Sequence, residues 1–182
     1  MADRFVVGYS GNLGRAHELG IVLDAAARVR HRLEIVFLII GEGNQKESLQ
    51  QESTRRGLVN VLFKPYQPSA QLKYSLTLPD VHLVSLKPAL EGLIVPSKFY
   101  SAIAAGRLVI FIGDGGNDGD GEIAREVARG DCGVTVAPDD AVALANAIER
   151  LCDDAAACAR MGVMNTNARG HCLRPSSRGK WR

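Results

Sequence analysis

The feature that most constrains this chain is a regular alternation of short apolar runs with helical patterns, joined by brief connections. Phe5-Val6-Val7-Gly8-Tyr9-Ser10, Leu33 to Ile40, Val59 to Phe63, Val81 to Leu86, Leu108 to Ile112 and Gly133 to Val136 read as strands. The run from Leu33 to Ile40 is apolar at nearly every position, as expected of a strand buried on both faces. Between the first two runs, Leu19, Val22, Leu23 and Ala26 recur at helical spacing. A polar helix over about 45–56 stops at Gly57, and a short one is expected around 70–76. Pro96 opens a helix that Gly106 closes, following the preference for Pro in a first turn and Gly past the end. A helix follows at about 122–128. Another starts from an Asp139 or Asp140 cap and carries Leu144, Ile148 and Leu151 on one face. A last helix is expected from Asp153 to about Ala168. Strands alternating with helices imply an α/β fold with a doubly wound, parallel, six-stranded sheet. The expected strand order is 3-2-1-4-5-6. Ligands in such sheets bind beyond the carboxyl ends of the strands, where the order reverses. The loops after the first and fourth strands are therefore the expected site.

The 182 residues suit one domain, expected over 1–168, followed by a basic tail over 169–182. A hydrophobic content of 46% with 23% charged residues is ordinary for a chain that buries a core. The net charge of +2 is unevenly placed. Arg169, Arg174, Arg178, Lys180 and Arg182 lie in the tail without an acid, which leaves 17 of the 22 basic groups against 20 acidic ones, a net −3. The folded part therefore offers no basic face for nucleic acid. The run of basic residues with Trp181 allows peripheral association with a membrane surface. No stretch of 18 apolar residues exists and no signal-peptide pattern opens the chain, so a cytoplasmic protein is expected. Cys132, Cys152, Cys158 and Cys172 form no C-x-x-C pair and read as reduced thiols. No metal site is expected from them.

Four segments can carry chemistry. Gly8-Tyr9-Ser10-Gly11-Asn12-Leu13-Gly14-Arg15 joins the first strand to its helix. Glycines there let backbone N–H groups approach an anion, and Arg15 adds a bidentate phosphate contact; a ligand-free tight turn explains the same glycines. The spacing is not the G-x-G-x-x-G of dinucleotide binders, and no acid closes the second strand to hold a ribose; Glu42 in Gly41-Glu42-Gly43 is the nearest substitute. Glu91-Gly92-Leu93-Ile94-Val95-Pro96-Ser97-Lys98 leads into the helix after the fourth strand. A lysine in a first turn opposes the helix dipole, which an anionic ligand would explain; a solvated side chain is the alternative. The loop from Gly113 to Gly121 holds Asp114, Asp118 and Asp120 but lacks the order of a calcium loop, and Glu122 after it is placed to touch a sugar or ribose hydroxyl. Tyr66, in Phe63-Lys64-Pro65-Tyr66-Gln67-Pro68, is a candidate base contact and equally a packing residue. His82 reads as a core or edge histidine, and no acid–base machinery is visible.

Taken in order, these segments resemble the C-terminal domain of retaining glycosyltransferases of family 4. The likeness is to the branch that builds bacterial surface polysaccharides of the colanic acid and O-antigen type. It rests on Tyr9-Ser10-Gly11-Asn12-Leu13-Gly14-Arg15, Pro96-Ser97-Lys98-Phe99-Tyr100, Ala104-Ala105-Gly106-Arg107, Phe111-Ile112-Gly113-Asp114, Gly121-Glu122-Ile123-Ala124 and Cys132-Gly133, across about residues 4–168. The resemblance implies one half of a GT-B fold, a Rossmann-like domain that holds the nucleotide sugar. The other half, an N-terminal domain absent from this chain, would hold a lipid-linked or saccharide acceptor. It implies retaining transfer from a nucleotide sugar, UDP preferred over GDP, with no cofactor and no obligatory metal. Arg15 and Lys98 are then the catalytic pair at the diphosphate. Gly11, Asn12 and Gly14 would form the close turn. Glu91, Gly92 and Leu93 would lie near sugar and phosphates, with Ser97 and Glu122 beside the ligand and Tyr66 near the base. The chain departs from the family pattern where Asn12 and roughly His17 stand in place of an Arg and a Lys, and where Ser101 stands in place of a Glu. Without its partner domain the chain is expected to be inactive.

Two other classes share the architecture. An NAD(P)-type dinucleotide domain of an oxidoreductase is opposed by the missing glycine fingerprint and ribose acid. A non-catalytic Rossmann-like interaction module would keep the fold and bind no nucleotide.

Overall fold

A computed structural model describes residues 4–14, 19–67, 72–86, 97–113 and 122–154. Within them the chain alternates β1 (Phe5–Ser10), α1 (Gly20–Arg28), β2 (Ile35–Ile40), α2 (Lys46–Arg55), β3 (Val61–Lys64), α3 (Leu72–Thr77), β4 (Val81–Ser85), α4 (Ser97–Ala104), β5 (Leu108–Ile112), α5 (Glu122–Arg129), β6 (Gly133–Val136) and α6 (Ala141–Asp153). All pairings are parallel, and the sheet order is β3-β2-β1-β4-β5-β6. The order reverses between β1 and β4, as the sequence predicts. The helix expected from Asp153 to about Ala168, Cys158, Cys172 and the tail lie outside the described residues.

The four central strands are buried on both faces, and the period of two in the strands distributes the core. Ile35, Phe37 and Ile39 of β2 join Leu108, Ile110 and Ile112 of β5 on the face covered by α1 and α6, with Leu144 and Ile148 of α6 packed there. Val109 and Phe111 point the other way, onto Phe99 and Ala102 of α4 and Ile123, Ala124 and Val127 of α5. Val6, Leu38 and Ile40 continue this second face beside Leu62 and Leu78. Asp140 caps α6 by accepting the Ala143 N–H at 2.7 Å, which decides between the two expected cap residues. At the entry to β4, Asp80 exchanges two hydrogen bonds of 2.8 Å with the backbone of Val6 and so pins β4 beside β1.

Two expected strand starts shift. Leu33 and Val59 are apolar but 75% and 89% exposed, because each lies in the turn that precedes its strand. His82 is buried in β4 and its Nε2 lies 2.8 Å from the carbonyl of Leu76. Burial pushes its pKa down to about 4, with the nearby Arg107 guanidinium acting in the same direction. It is a neutral core histidine.

Candidate functional site

The site lies at the carboxyl ends of β1 and β4, where the loop after β1 rests on the loop after β2. Backbone bonds continue the strand pairing beyond the strands themselves. Gly11 donates to the Ile40 carbonyl at 2.9 Å, Leu13 donates to Glu42 at 2.8 Å, and Gln45 donates to Leu13 at 3.1 Å. The Gln45 side chain adds an Nε2 bond to the Gly14 carbonyl at 2.5 Å. These bonds hold the two loops close enough that a Cβ on Gly41 would lie 1.9 Å from the Gly11 carbonyl oxygen. Glycine at 41 is therefore a condition of the geometry.

Lys98 reaches this loop from the far side of the sheet. Its neighbour Phe99 packs α4 onto the face shared with α5, whereas Tyr9 belongs to the face covered by α1 and α6. The Lys98 stem passes over Gly11, where a Cβ would meet Lys98 Cε at 2.3 Å and where φ is +142°. Beyond Gly11 the ammonium donates to Tyr9 Oη at 2.7 Å and sits 4.6 Å from the centroid of the Tyr9 ring. Tyr9 Oη in turn donates to the Asn12 carbonyl at 2.8 Å. Burial lowers the Lys98 pKa to about 8, and burial raises that of Tyr9 so that the phenol keeps its proton. A half-buried ammonium on a glycine-rich loop favours an anion, because a partner charge restores what desolvation removed. Ser97 opens α4 in an exposed position, and its carbonyl accepts the Ser101 hydroxyl at 3.0 Å.

Of the residues singled out in the sequence, Gly11, Asn12, Gly14 and Lys98 come together here, and Ser97 precedes Lys98 in α4. Tyr66 is 61% exposed and follows β3, two strands from β1 and so roughly 10 Å across the sheet. Glu42, the nearest substitute for a ribose acid, pairs with Lys46 at 2.6 Å. Arg15, Glu91, Gly92 and Leu93 lie outside the described residues, as does the side chain of Glu122. Tyr9, Gly41, Gly43 and Gln45 were not read as site residues from the sequence. The Tyr9 hydroxyl bonds the Asn12 carbonyl nearby in sequence, but the partner that brings it to the site, Lys98, is 89 residues away.

The family model described as glycosyl transferases group 1 matches residues 4–154. The chain belongs to this glycosyltransferase family. Among curated relatives, the putative colanic acid biosynthesis glycosyl transferase WcaI of Escherichia coli is 36% identical over 104 residues, 57% of this chain and 25% of its own length. The probable glycosyltransferase WbjE of Pseudomonas aeruginosa is 29% identical over 148 residues, 81% of this chain and 36% of its own length. The chain thus matches about a quarter to a third of these relatives. Among solved structures, the C-terminal domain of the group 1 protein LpcC from Francisella tularensis aligns with a TM-score of 0.71 at 18% identity, over 91% of this chain and 85% of that one. Anabaena HepE in complex with UDP and glucose aligns with a TM-score of 0.72 at 22% identity, over 92% of this chain and 44% of that one. The sheet has the Rossmann-like fold of the C-terminal domain of GT-B glycosyltransferases. Among the described residues no helix of this glycosyltransferase domain is long and apolar enough to cross a membrane.

Proposed function

We propose that this domain binds a nucleoside diphosphate sugar at the carboxyl ends of β1 and β4 and donates its sugar to an acceptor held by a second domain. The observation that carries the reading is the Lys98 ammonium, half-buried and laid across Gly11 onto the loop after β1. Transfer leaves a diphosphate, and fixed positive charge aimed at the departing oxygens is the largest stabilisation available there. Lys98 supplies that charge together with Arg15, while Gly11, Asn12 and Gly14 form the turn under the phosphates. Glu91, Gly92, Leu93, Ser97 and Glu122 lie along the sugar and phosphates, and Tyr66 meets the base. UDP is the preferred nucleotide and GDP the second choice; HepE, a neighbour in fold, has been solved with UDP and with UDP-glucose. The reaction retains the anomeric configuration and needs no obligatory metal. It serves bacterial surface polysaccharide or lipopolysaccharide synthesis at the cytoplasmic face of the membrane, on a lipid-linked or saccharide acceptor. The matched relative named for colanic acid biosynthesis supports that placement. Alone, the domain binds the donor without transferring it.

A calorimetric titration with UDP, GDP, their sugar conjugates and NAD tests the reading. UDP is expected to bind, and Lys98→Ala to weaken it by about ten- to a hundredfold, the span for a lost hydrogen bond to a charged group. Arg15→Ala is expected to act in the same direction. Binding of NAD in place of any nucleoside diphosphate would assign the domain to dinucleotide chemistry. Glu42 speaks against that outcome, since its carboxylate is engaged by Lys46.

A further inference from the structure

We propose that Tyr9 is the positioning residue of the nucleotide site, its hydroxyl holding the Lys98 ammonium over the loop after β1, where a diphosphate is bound. The inference rests on the donor-site reading above and assigns the role to a residue outside it. Tyr9 is 1% exposed and lies among Leu13, Leu19 and Ile39. A phenylalanine would fill that space equally well, so the buried hydroxyl calls for a reason of its own. The phenol has one proton, and it goes to the Asn12 carbonyl at 2.8 Å. That leaves the oxygen as an acceptor, and Lys98 Nζ occupies it at 2.7 Å. The same oxygen therefore ties the loop and the lysine together. The ammonium lies at the hydroxyl end of the ring, 4.6 Å from its centroid, so the oxygen is the contact that holds it.

The arrangement matters because of where Lys98 starts. Its helix packs on the opposite layer from Tyr9, and the side chain must pass over the edge of the sheet to reach the loop. A four-carbon stem with free rotations does not stay in such a place without an anchor. With the anchor, the charge is already aimed before nucleotide arrives, and binding does not have to order it. Tyr9 touches no substrate in this scheme; it acts through Lys98.

The test uses the 182-residue chain and the variants Tyr9→Phe, Lys98→Met and their combination. A ligand-free readout comes first. An ε-methylene held in one partly buried place resonates apart from the averaged signals of freely rotating lysines in the proton NMR spectrum. One lysine signal in the native chain is expected to be shifted in this way and to vanish in Lys98→Met. In Tyr9→Phe, which keeps the ring, it is expected to return to the ordinary lysine position. A shift that persists in Tyr9→Phe overturns the proposal. UDP affinity is then compared across the set. Tyr9→Phe is expected to weaken UDP by about tenfold, the scale of one charge-assisted hydrogen bond, and to cost nothing further once Lys98 is methionine. Additive losses would show that Tyr9 acts only through the Asn12 carbonyl, and would overturn the positioning role. Failure of the native chain to bind UDP would defeat the donor-site reading, while the NMR comparison would still decide whether Tyr9 holds Lys98.

Discussion

Replacing Gly41 by alanine tests the central feature of the site, the close contact of its two loops. The added Cβ would lie 1.9 Å from the Gly11 carbonyl oxygen, and its neighbours there are backbone atoms that cannot swing aside. The loops must separate. Separation breaks the Gly11 to Ile40 and Leu13 to Glu42 hydrogen bonds, which measure 2.9 and 2.8 Å. Each such bond contributes about 1 kcal/mol net, and forcing extra atoms into a filled space costs about 1–3 kcal/mol. The contact therefore costs roughly 3–5 kcal/mol beyond the positive-φ penalty, φ being +156° at Gly41. With a urea dependence of about 2 kcal/mol per molar, the unfolding midpoint followed by circular dichroism should fall by roughly 1.5–2.5 M more than in Gly57→Ala. Gly57→Ala is the control. It also has positive φ, +64°, but meets nothing within 4 Å, so only the left-handed backbone penalty of about 1–2 kcal/mol applies. Gly41→Ala should also weaken UDP, because moving Gly11 moves the surface over which Lys98 runs. If the two variants unfold within about 0.5 kcal/mol of each other, backbone conformation alone explains both and the loop contact is not what glycine serves.

Three further outcomes follow from the same structure. Burial lowers the Lys98 pKa to about 8, so its charge is present below that pH and is lost above it. UDP affinity measured at pH 7 and pH 9 should fall by about tenfold, and Lys98→Met should remove that dependence. His82 has its pKa pushed down to about 4 by burial, below the value of an exposed histidine. The unfolded chain then binds more protons between about pH 6.5 and 4, and stability falls as pH falls through that window by roughly 3 kcal/mol. The urea midpoint of the native chain should fall further between pH 7 and pH 4.5 than that of His82→Gln, which lacks the titrating group. Asp140→Ala removes the cap on the Ala143 N–H at 2.7 Å and should cost about 1 kcal/mol by the same assay.

The strands were legible because a parallel sheet with helices on both sides demands nearly continuous apolar runs, and this chain has them. β1, β5 and β6 begin and end where the residues change character. Leu33 and Val59 were misread because hydropathy cannot separate an apolar residue in a turn from the first residue of a strand. Their exposure follows from the turns that precede β2 and β3. At the site, Lys98 was legible because a cation in a first helical turn is locally unfavourable. Tyr9 was not, because tyrosine is an ordinary strand residue and its hydroxyl meets Lys98 only once α4 is packed beside the loop after β1. Gly41 and Gly43 were visible as the end of a strand. Their second role, bearing the loop after β1, depends on parallel pairing of β1 with β2 in the register that sets Ser10 opposite Ile40.

The doubly wound topology also explains why residue 98 is a lysine. Because the strand order reverses between β1 and β4, α1 and α4 cover opposite faces, and a group from α4 can serve the loop after β1 only by crossing the edge of the sheet. The crossing lies over Gly11, where the backbone presents no Cβ and the Lys98 stem fits against it. A lysine suits this passage: a slender stem ending in a compact head with three donors, one of which meets Tyr9 Oη at 2.7 Å. An arginine carries a planar fork of greater width in place of the compact head. Lys98→Arg keeps the charge and should nevertheless weaken UDP by about tenfold, the scale of one lost charge-assisted bond, while leaving the unfolding midpoint unchanged. An arginine variant that binds UDP as the native chain does would show that the site needs only a positive charge near the loop. The path over Gly11 would then be incidental to it.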